Sequence, residues 1–387
     1  MRMSNQQLLE YFEGILPWAL EVLEEWVRLE SPTSDIAAVN ALGHRIAGRL
    51  EEQGLVIERI PQHDSGDHLM GCWNGPLIAE DGAPILILGH IDTVWPVGQL
   101  RQMPIKRVGD RLYGPGIFDM KAGVLLMLLC TRAFRELALS SRRPVRILLS
   151  SDEEMGSAGS RKIVEDVARG CRYVLCLEPP LPGNLAKTAR KGVYHFIVEA
   201  FGVSAHAGVD HEKGVNALEE MAHQVLSLQA MTDYPSGTTV NVGTLSTRNA
   251  SNVVPDYALA EVDVRGMTLE SGEAISQRIL GLRPFLSRTQ LKISGGLGRP
   301  PLERTPGIVR LYRYAAEIAE DLGFKLGEGL TGGGSDGSLT AAMGIPTLDG
   351  MGVDGAGSHS LDEHILVSDI PRKAALLTRL IETYQPA

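Results

Sequence analysis

Apolar positions recur along this chain with two different periods, and the change of period marks a change of architecture. Over 5–30, Leu8, Tyr11, Phe12, Ile15, Leu16, Leu20, Leu23, Trp26 and Val27 fall three or four residues apart, the spacing of a helix that buries one face. Pro17 predicts a break there, with a second helix starting on it. Further helices are expected at 37–53, closed by Gly54, and at 124–134. Between and after them lie runs that are apolar throughout, at 85–88, 145–149 and 173–177, with shorter strand-like runs at 55–60 and 68–73. Uninterrupted apolar strands alternating with helices predict a mainly parallel sheet sandwiched by helices.

From about residue 188 the period becomes two. Segments 193–201, 239–245 and 257–265 alternate, a further strand is expected at 290–294, and helices are expected at 214–231 and 270–286. That order predicts a small α+β domain with an antiparallel sheet and two helices. Gly295-Gly-Leu-Gly-Arg-Pro-Pro301 reads as a linker. A helix at 306–322, the run Thr331-Gly-Gly-Gly-Ser-Asp-Gly337 and a terminal helix from Pro371 then resume the first texture. The expected organisation is an α/β main domain made of 1–187 and 300–387, interrupted by an inserted domain at 188–299.

Composition narrows the classes. A length of 387 residues exceeds one ordinary core. A net charge of -10 argues against a nucleic-acid or anionic-membrane surface. No apolar run is long enough to span a bilayer. Glutamates at 10, 13, 21, 24 and 25 interrupt any signal-like N-terminal stretch. Cys72, Cys130, Cys171 and Cys176 lack zinc-finger spacing and read as free thiols. A cytoplasmic protein is the expectation.

The candidate chemistry sits at strand ends. His90 and Asp92 follow the run 85–88, and residues i and i+2 of an extended segment share a face. An imidazole backed by a carboxylate is how many metal sites fix a histidine ligand. Glu153 and Glu154 follow the run 145–149, Glu178 follows 173–177, and Asp119 lies in a glycine-rich loop ahead of a helix. One strand-end acid is usually a helix cap. Several on a single sheet edge would repel one another unless a cation neutralised them. Imidazole plus carboxylates suits zinc, and a pair of ions needs a bridging carboxylate, for which Asp119 is the candidate. Of Glu153 and Glu154, one can bind metal while the other acts as general base; spacing does not say which.

These motifs resemble a known family. Gly89-His-Ile-Asp-Thr-Val-Trp-Pro96, Gly114-Pro-Gly-Ile-Phe-Asp-Met-Lys-Ala-Gly123, Ser151-Asp-Glu-Glu-Met-Gly-Ser157, Glu178-Pro and Gly357-Ser-His-Ser360 occur in this order. Ser204-Ala-His-Ala-Gly208 and Asn249-Ala-Ser-Asn-Val-Val-Pro255 stand between the last two. The set is similar to that of the dizinc exopeptidases and deacylases, which include the glutamate carboxypeptidases of the carboxypeptidase G type, acetylornithine deacetylase and succinyl-diaminopimelate desuccinylase. The resemblance implies that His90 and Glu178 bind one zinc, that Glu154 and His359 bind the other, and that Asp119 bridges them. It implies Asp92 as the residue orienting His90, Glu153 as the general base, and a cis peptide between Asp119 and Met120. His359 is found only through the resemblance. The insert becomes a lid and dimerisation domain in which Arg265 holds a substrate carboxylate, His206 helps polarise the scissile carbonyl (in some members from the partner subunit) and Asn252 makes a further contact. Gly332-Gly-Gly334 resembles the backbone strip beside the substrate in the glutamate carboxypeptidases.

The expected activity is therefore that of a zinc-dependent carboxypeptidase releasing a C-terminal amino acid, glutamate first, from a small peptide or N-acyl conjugate, with cobalt or manganese as other metals the ligands accept. Glu at 178 resembles the carboxypeptidase and deacylase branch, and a small-molecule deacylase is the alternative. A homodimer through the lid is expected, with no nucleic-acid or membrane partner.

Overall fold

In the computed structural model of the chain, which describes residues 3–73 and 82–385, the strand Ile85–His90 is buried along its whole length. Its two faces explain this. Ile85 and Ile87 pack into one core with the helices Asn5–Arg28, Ile36–Glu51, Ala122–Glu136 and Asp369–Thr383. Leu86 and Leu88 pack into a second core with the helices Arg161–Ala168 and Asp336–Ala342. A strand covered on both sides needs apolar residues at every position. The six-stranded sheet runs in the order Val56–Ile60, His68–Trp73, Val145–Ser150, Ile85–His90, Tyr173–Cys176 and Thr347–Leu348. Its first two pairings are antiparallel and the remaining three parallel. The strands ending at His90, Ser150 and Cys176 thus deliver the residues that follow them to one edge.

The helix Ala122–Glu136 is held against that edge by the absence of a side chain. A Cβ on Gly123 would lie 2.1 Å from the carbonyl oxygen of Leu177, one residue before Glu178. Only glycine permits so close an approach.

One helical detail departs from the sequence reading. Pro17 does not start a new helix; it lies inside a single helix, Asn5–Arg28, which a Ser4 capping box begins. The buried stripe Leu8, Phe12, Ala19, Val22, Leu23, Trp26 and Val27 continues across the proline. Packing of that stripe outweighs the hydrogen bond that the ring removes.

The chain clusters into two units: Met1–Ala189, Arg304–Thr331 and Ser335–Ala387 form the first, Arg190–Glu303 and Gly332–Gly334 the second. The second unit holds a four-stranded antiparallel sheet ordered Thr239–Thr247, Tyr257–Gly266, Gly192–Phe201 and Gln290–Arg299. Even-numbered residues of Gly192–Phe201 (Tyr194, Phe196, Val198, Ala200) form one core with the helices Ala217–Gln229 and Leu269–Leu280. Of the glycine-rich stretch expected as a linker, residues 295–299 are instead the end of the ten-residue strand Gln290–Arg299. Gly295 has a φ of 121°, and a Cβ there would lie 2.1 Å from the His195 carbonyl oxygen. The glycines let this strand pair closely with its neighbour, which a pattern of side chains cannot reveal. No helix among the described residues is long and apolar enough to cross a membrane.

Candidate metal centre

His90, at the end of the central strand, is buried. Its Nδ1 lies 3.0 Å from the main-chain oxygen of Asp92 and 3.3 Å from its Oδ1. With both neighbours acceptors, Nδ1 carries the proton and Nε2 presents a lone pair in the neutral ring. That Nε2 is sealed from solvent and has no well-aligned hydrogen-bond partner among the described residues. It lies 3.4 Å from Asp119 Oδ1 and 3.6 Å from Glu178 Oε1.

Asp92, completely buried, does more than back the histidine. Its carboxylate accepts from Thr33 Oγ1 at 2.7 Å and from the backbone N–H groups of Glu153 (3.3 Å) and Glu154 (3.1 Å). One side chain therefore fixes both the imidazole and the turn bearing the two glutamates. Burial pushes the Asp92 carboxyl up, but His90, Thr33 and the Glu154 N–H outweigh it and hold it below the ordinary value.

The turn at 151–156 is gripped from its far side as well. Ser150 Oγ donates to Asp336 Oδ2 at 2.6 Å, and Ser157 Oγ donates to the other oxygen of the same carboxylate. Across the site, His359 Nε2 lies 3.2 Å from Glu154 Oε2 and 3.5 Å from Asp119 Oδ2. The two oxygens of Asp119 thus face two different histidines. The Asp119–Met120 peptide is cis.

Ligand atoms of His90, Asp119 and Glu154 all lie within 4.8 Å of one another, as do those of His90, Glu153 and Glu178. Electrostatics reflect the crowding. Burial drives His90 toward neutrality, yet Asp119 and Asp92 raise its pKa well above the usual value. Asp119 and Glu154 lift His359 to about 10. Burial raises Asp119, but His359 and His90 outweigh it and bring it down. Burial, with the charges of Asp119 and Glu153, raises Glu154 against the pull of His359. With both histidine pKa values raised, a proton on either ring offsets part of the charge that a cation would neutralise. The donors fit a metal pair by their chemistry, and the orphaned His90 Nε2 and Glu154 Oε1 are buried polar atoms of the kind an ion satisfies.

Sequence reasoning missed Thr33, Asp336 and Glu363. The buried Glu363 accepts from Trp95 Nε1 and from the backbone N–H groups of Gly116, Phe118 and Asp119. None of the three has a periodic signal, because each bonds to a distant segment: Thr33 to the Asp92 carboxylate, Asp336 to two serine hydroxyls, and Glu363 to the indole of Trp95 and a run of backbone N–H groups.

In the second unit, Ala205–His206 pairs with Val253–Val254, and Ala207 N donates to the Asn252 carbonyl oxygen at 2.9 Å, bringing His206 and Asn252 together. The Gly208 N–H donates to His206 Nδ1 at 3.1 Å, so Nε2 carries the proton and can donate. Arg265 places Nε and Nη2 on the two carboxylate oxygens of Asp263, each at 2.8 Å. Its Nη1 donates to Gly332 O at 3.2 Å, while Arg190 Nη1 donates to Gly333 O (3.1 Å) and Gly334 O (2.9 Å). The glycine strip is thereby held by its carbonyls.

Known proteins share this arrangement of sequence. Residues 86–383 match the model of peptidase family M20/M25/M40. The chain is 30% identical over 372 residues to carboxypeptidase G2 of Pseudomonas sp. (strain RS-16), covering 94% of this chain and 89% of that protein. It is 28% identical over 398 residues to the succinyl-diaminopimelate desuccinylase of Verminephrobacter eiseniae (strain EF01-2), covering 95% and 96%. Among solved structures, aminopeptidase PepT from Bacillus cereus ATCC 10987 superimposes with a TM-score of 0.80 at 22% identity over 95% of this chain and 98% of that one.

Proposed function

The chain belongs to peptidase family M20/M25/M40, and from that premise we propose that it is a carboxypeptidase with a dinuclear metal centre, cutting the amide bond before a C-terminal amino acid, glutamate first. The observation that carries the dinuclear reading is the Asp119 carboxylate, with one oxygen toward His90 and the other toward His359. His90 and Glu178 would hold one ion, Glu154 and His359 the other, and Asp119 both. Zinc suits the donors, with cobalt and manganese as alternatives. When bound, the ions supply Lewis-acid polarisation of the scissile carbonyl and make water acidic near neutral pH.

The chain's own residues do the rest. Asp92 keeps the proton on His90 Nδ1, so that Nε2 faces inward. Glu153, in the buried group with His90 and Glu178, takes the proton from the attacking water and returns it to the departing nitrogen. From the second unit, Arg265 would anchor the substrate α-carboxylate, sharing its fork with Asp263. His206 would donate from Nε2 to the developing oxyanion, with Asn252 as a further contact. The same unit would form a homodimer contact.

A second reading keeps the machinery and changes the acyl group: an N-acyl amino acid or N-acyl diamine deacylase, supported by the similarity to the desuccinylase along nearly the whole chain. Loading metal-free protein with zinc and assaying peptidyl- and acyl-glutamates beside acetylornithine and succinyl-diaminopimelate separates the two. Turnover confined to the diamine substrates would overturn the carboxypeptidase reading, and activity surviving complete chelation would overturn the metal mechanism.

A further inference from the structure

Glu363 is a buried carboxylate that gathers the loops carrying two of the proposed ligands, Asp119 and His359. Its Oε1 accepts from Phe118 N (2.9 Å) and Asp119 N (3.0 Å); its Oε2 accepts from Gly116 N (2.9 Å) and Trp95 Nε1 (2.7 Å). Its own carbonyl accepts from Gly114 N at 3.3 Å. A buried carboxylate is tolerated when several N–H groups converge on it, and here three of them belong to the loop that presents Asp119.

The other end of Glu363 is the His359 loop. His359 has a φ of 61° and a half-exposed side chain. Two tight backbone bonds, Ser360 N to Gly357 O (2.8 Å) and Glu363 N to Ser360 O (3.0 Å), tie it to Glu363. The distance between Asp119 Oδ2 and His359 Nε2 is thus set through one residue that grips both backbones.

We infer that Glu363 is a positioning residue for one half of the metal centre: by holding the 116–119 loop against the His359 loop, it sets metal affinity at the Asp119–Glu154–His359 group and leaves the His90–Glu178 side largely to the sheet. The inference rests on the dinuclear reading above. The His90–Glu178 pair needs no such strap, because His90 ends one strand of the sheet and Glu178 lies two residues beyond the strand paired with it.

The test is zinc titration of chelator-stripped protein in competition with a chromophoric chelator, which reads binding and not turnover. Wild type should take two equivalents. Glu363→Gln places an amide NH2 against backbone donors and should weaken the equivalent at His359 by about 10–100-fold, the usual effect of losing a partner behind a ligand, and the other, which shares only Asp119 with it, by clearly less. His359→Ala should weaken the same equivalent, and the double variant should lose no further affinity. Trp95→Phe removes only the indole donor and should keep both equivalents. If Glu363→Gln does not fold, Glu363→Asp, whose shorter carboxylate cannot reach all four donors, is judged by the same criterion. A Glu363 variant that binds both equivalents like wild type, or loses both together with a lowered thermal midpoint of the metal-free form, overturns the inference. Fewer than two equivalents in wild type would instead sink the dinuclear reading beneath it.

Discussion

At the scale of residues, the division of labour between Glu153 and Glu154 is the point where spacing alone stops. Adjacent acids after a strand diverge, and nothing in the sequence orders them. The structure shows Glu154 against His359 at 3.2 Å and Glu153 in the group around His90 and Glu178. With Glu153 as the proposed base and not a ligand, replacing it by Gln should leave two metal equivalents bound while lowering kcat by about 10²–10⁴-fold, the range a lost general base gives; metal analysis beside single-turnover rates checks it. Arg265→Lys should act differently. Loss of the planar fork should raise KM for a carboxylate-bearing substrate about 10–100-fold with a smaller change in kcat, since charge-assisted hydrogen bonds contribute about 1.5–3 kcal/mol. A KM that stays put would remove Arg265 from the substrate site. His90 and Asp92 were legible because i and i+2 on a strand share a face. His359 was not: it sits on a loop with a positive φ, where no periodicity applies.

Elements show the same boundary between what periodicity carries and what it does not. The apolar strands and the helices between them follow from side-chain pattern. The helix start at Pro17 and the linker at 295–301 were misread, because burial across a proline and pairing through glycines leave no side-chain pattern. Glycine also governs the joint between the helix Ala122–Glu136 and the residues leading to Glu178. Gly123→Ala would push a methyl against the Leu177 carbonyl, at about 1–3 kcal/mol for a forced shift in a packed interior. The expected outcome is a thermal midpoint lowered by several degrees and weaker metal retention, read by calorimetry and metal analysis. An unchanged midpoint with full metal content would show that the helix can retreat without moving Glu178.

For the whole molecule, the question is what replaces the cations when they are removed, and in which unit. All the proposed ligands belong to the first unit and none to the second. Without metal, the clustered carboxylates are held by protonated His90 and His359, the latter with a pKa of about 10 set by Asp119 and Glu154. In the unfolded chain a histidine titrates at about 6.5. A group whose folded pKa is raised stabilises fully below the unfolded value and loses that contribution as pH rises toward the folded one. Glu154, raised chiefly by burial, acts in the same sense, because its ionisation in the folded state is the unfavourable step. The contribution of this centre to the stability of the metal-free protein should thus fall progressively between about pH 6.5 and pH 10. Zinc-loaded protein should not follow that slope over this range, because bound ions displace those protons. Thermal midpoints measured with chelator and with zinc across this window test the sign directly. Hydrogen exchange locates it: protection by zinc should appear at the ends of Ile85–His90 and Val145–Ser150 and be absent from the sheet strand Gly192–Phe201. Equal protection of both sheets would mean that the units unfold as one, and a chelated protein with a flat pH profile would mean that the two histidines do not stand in for the metals.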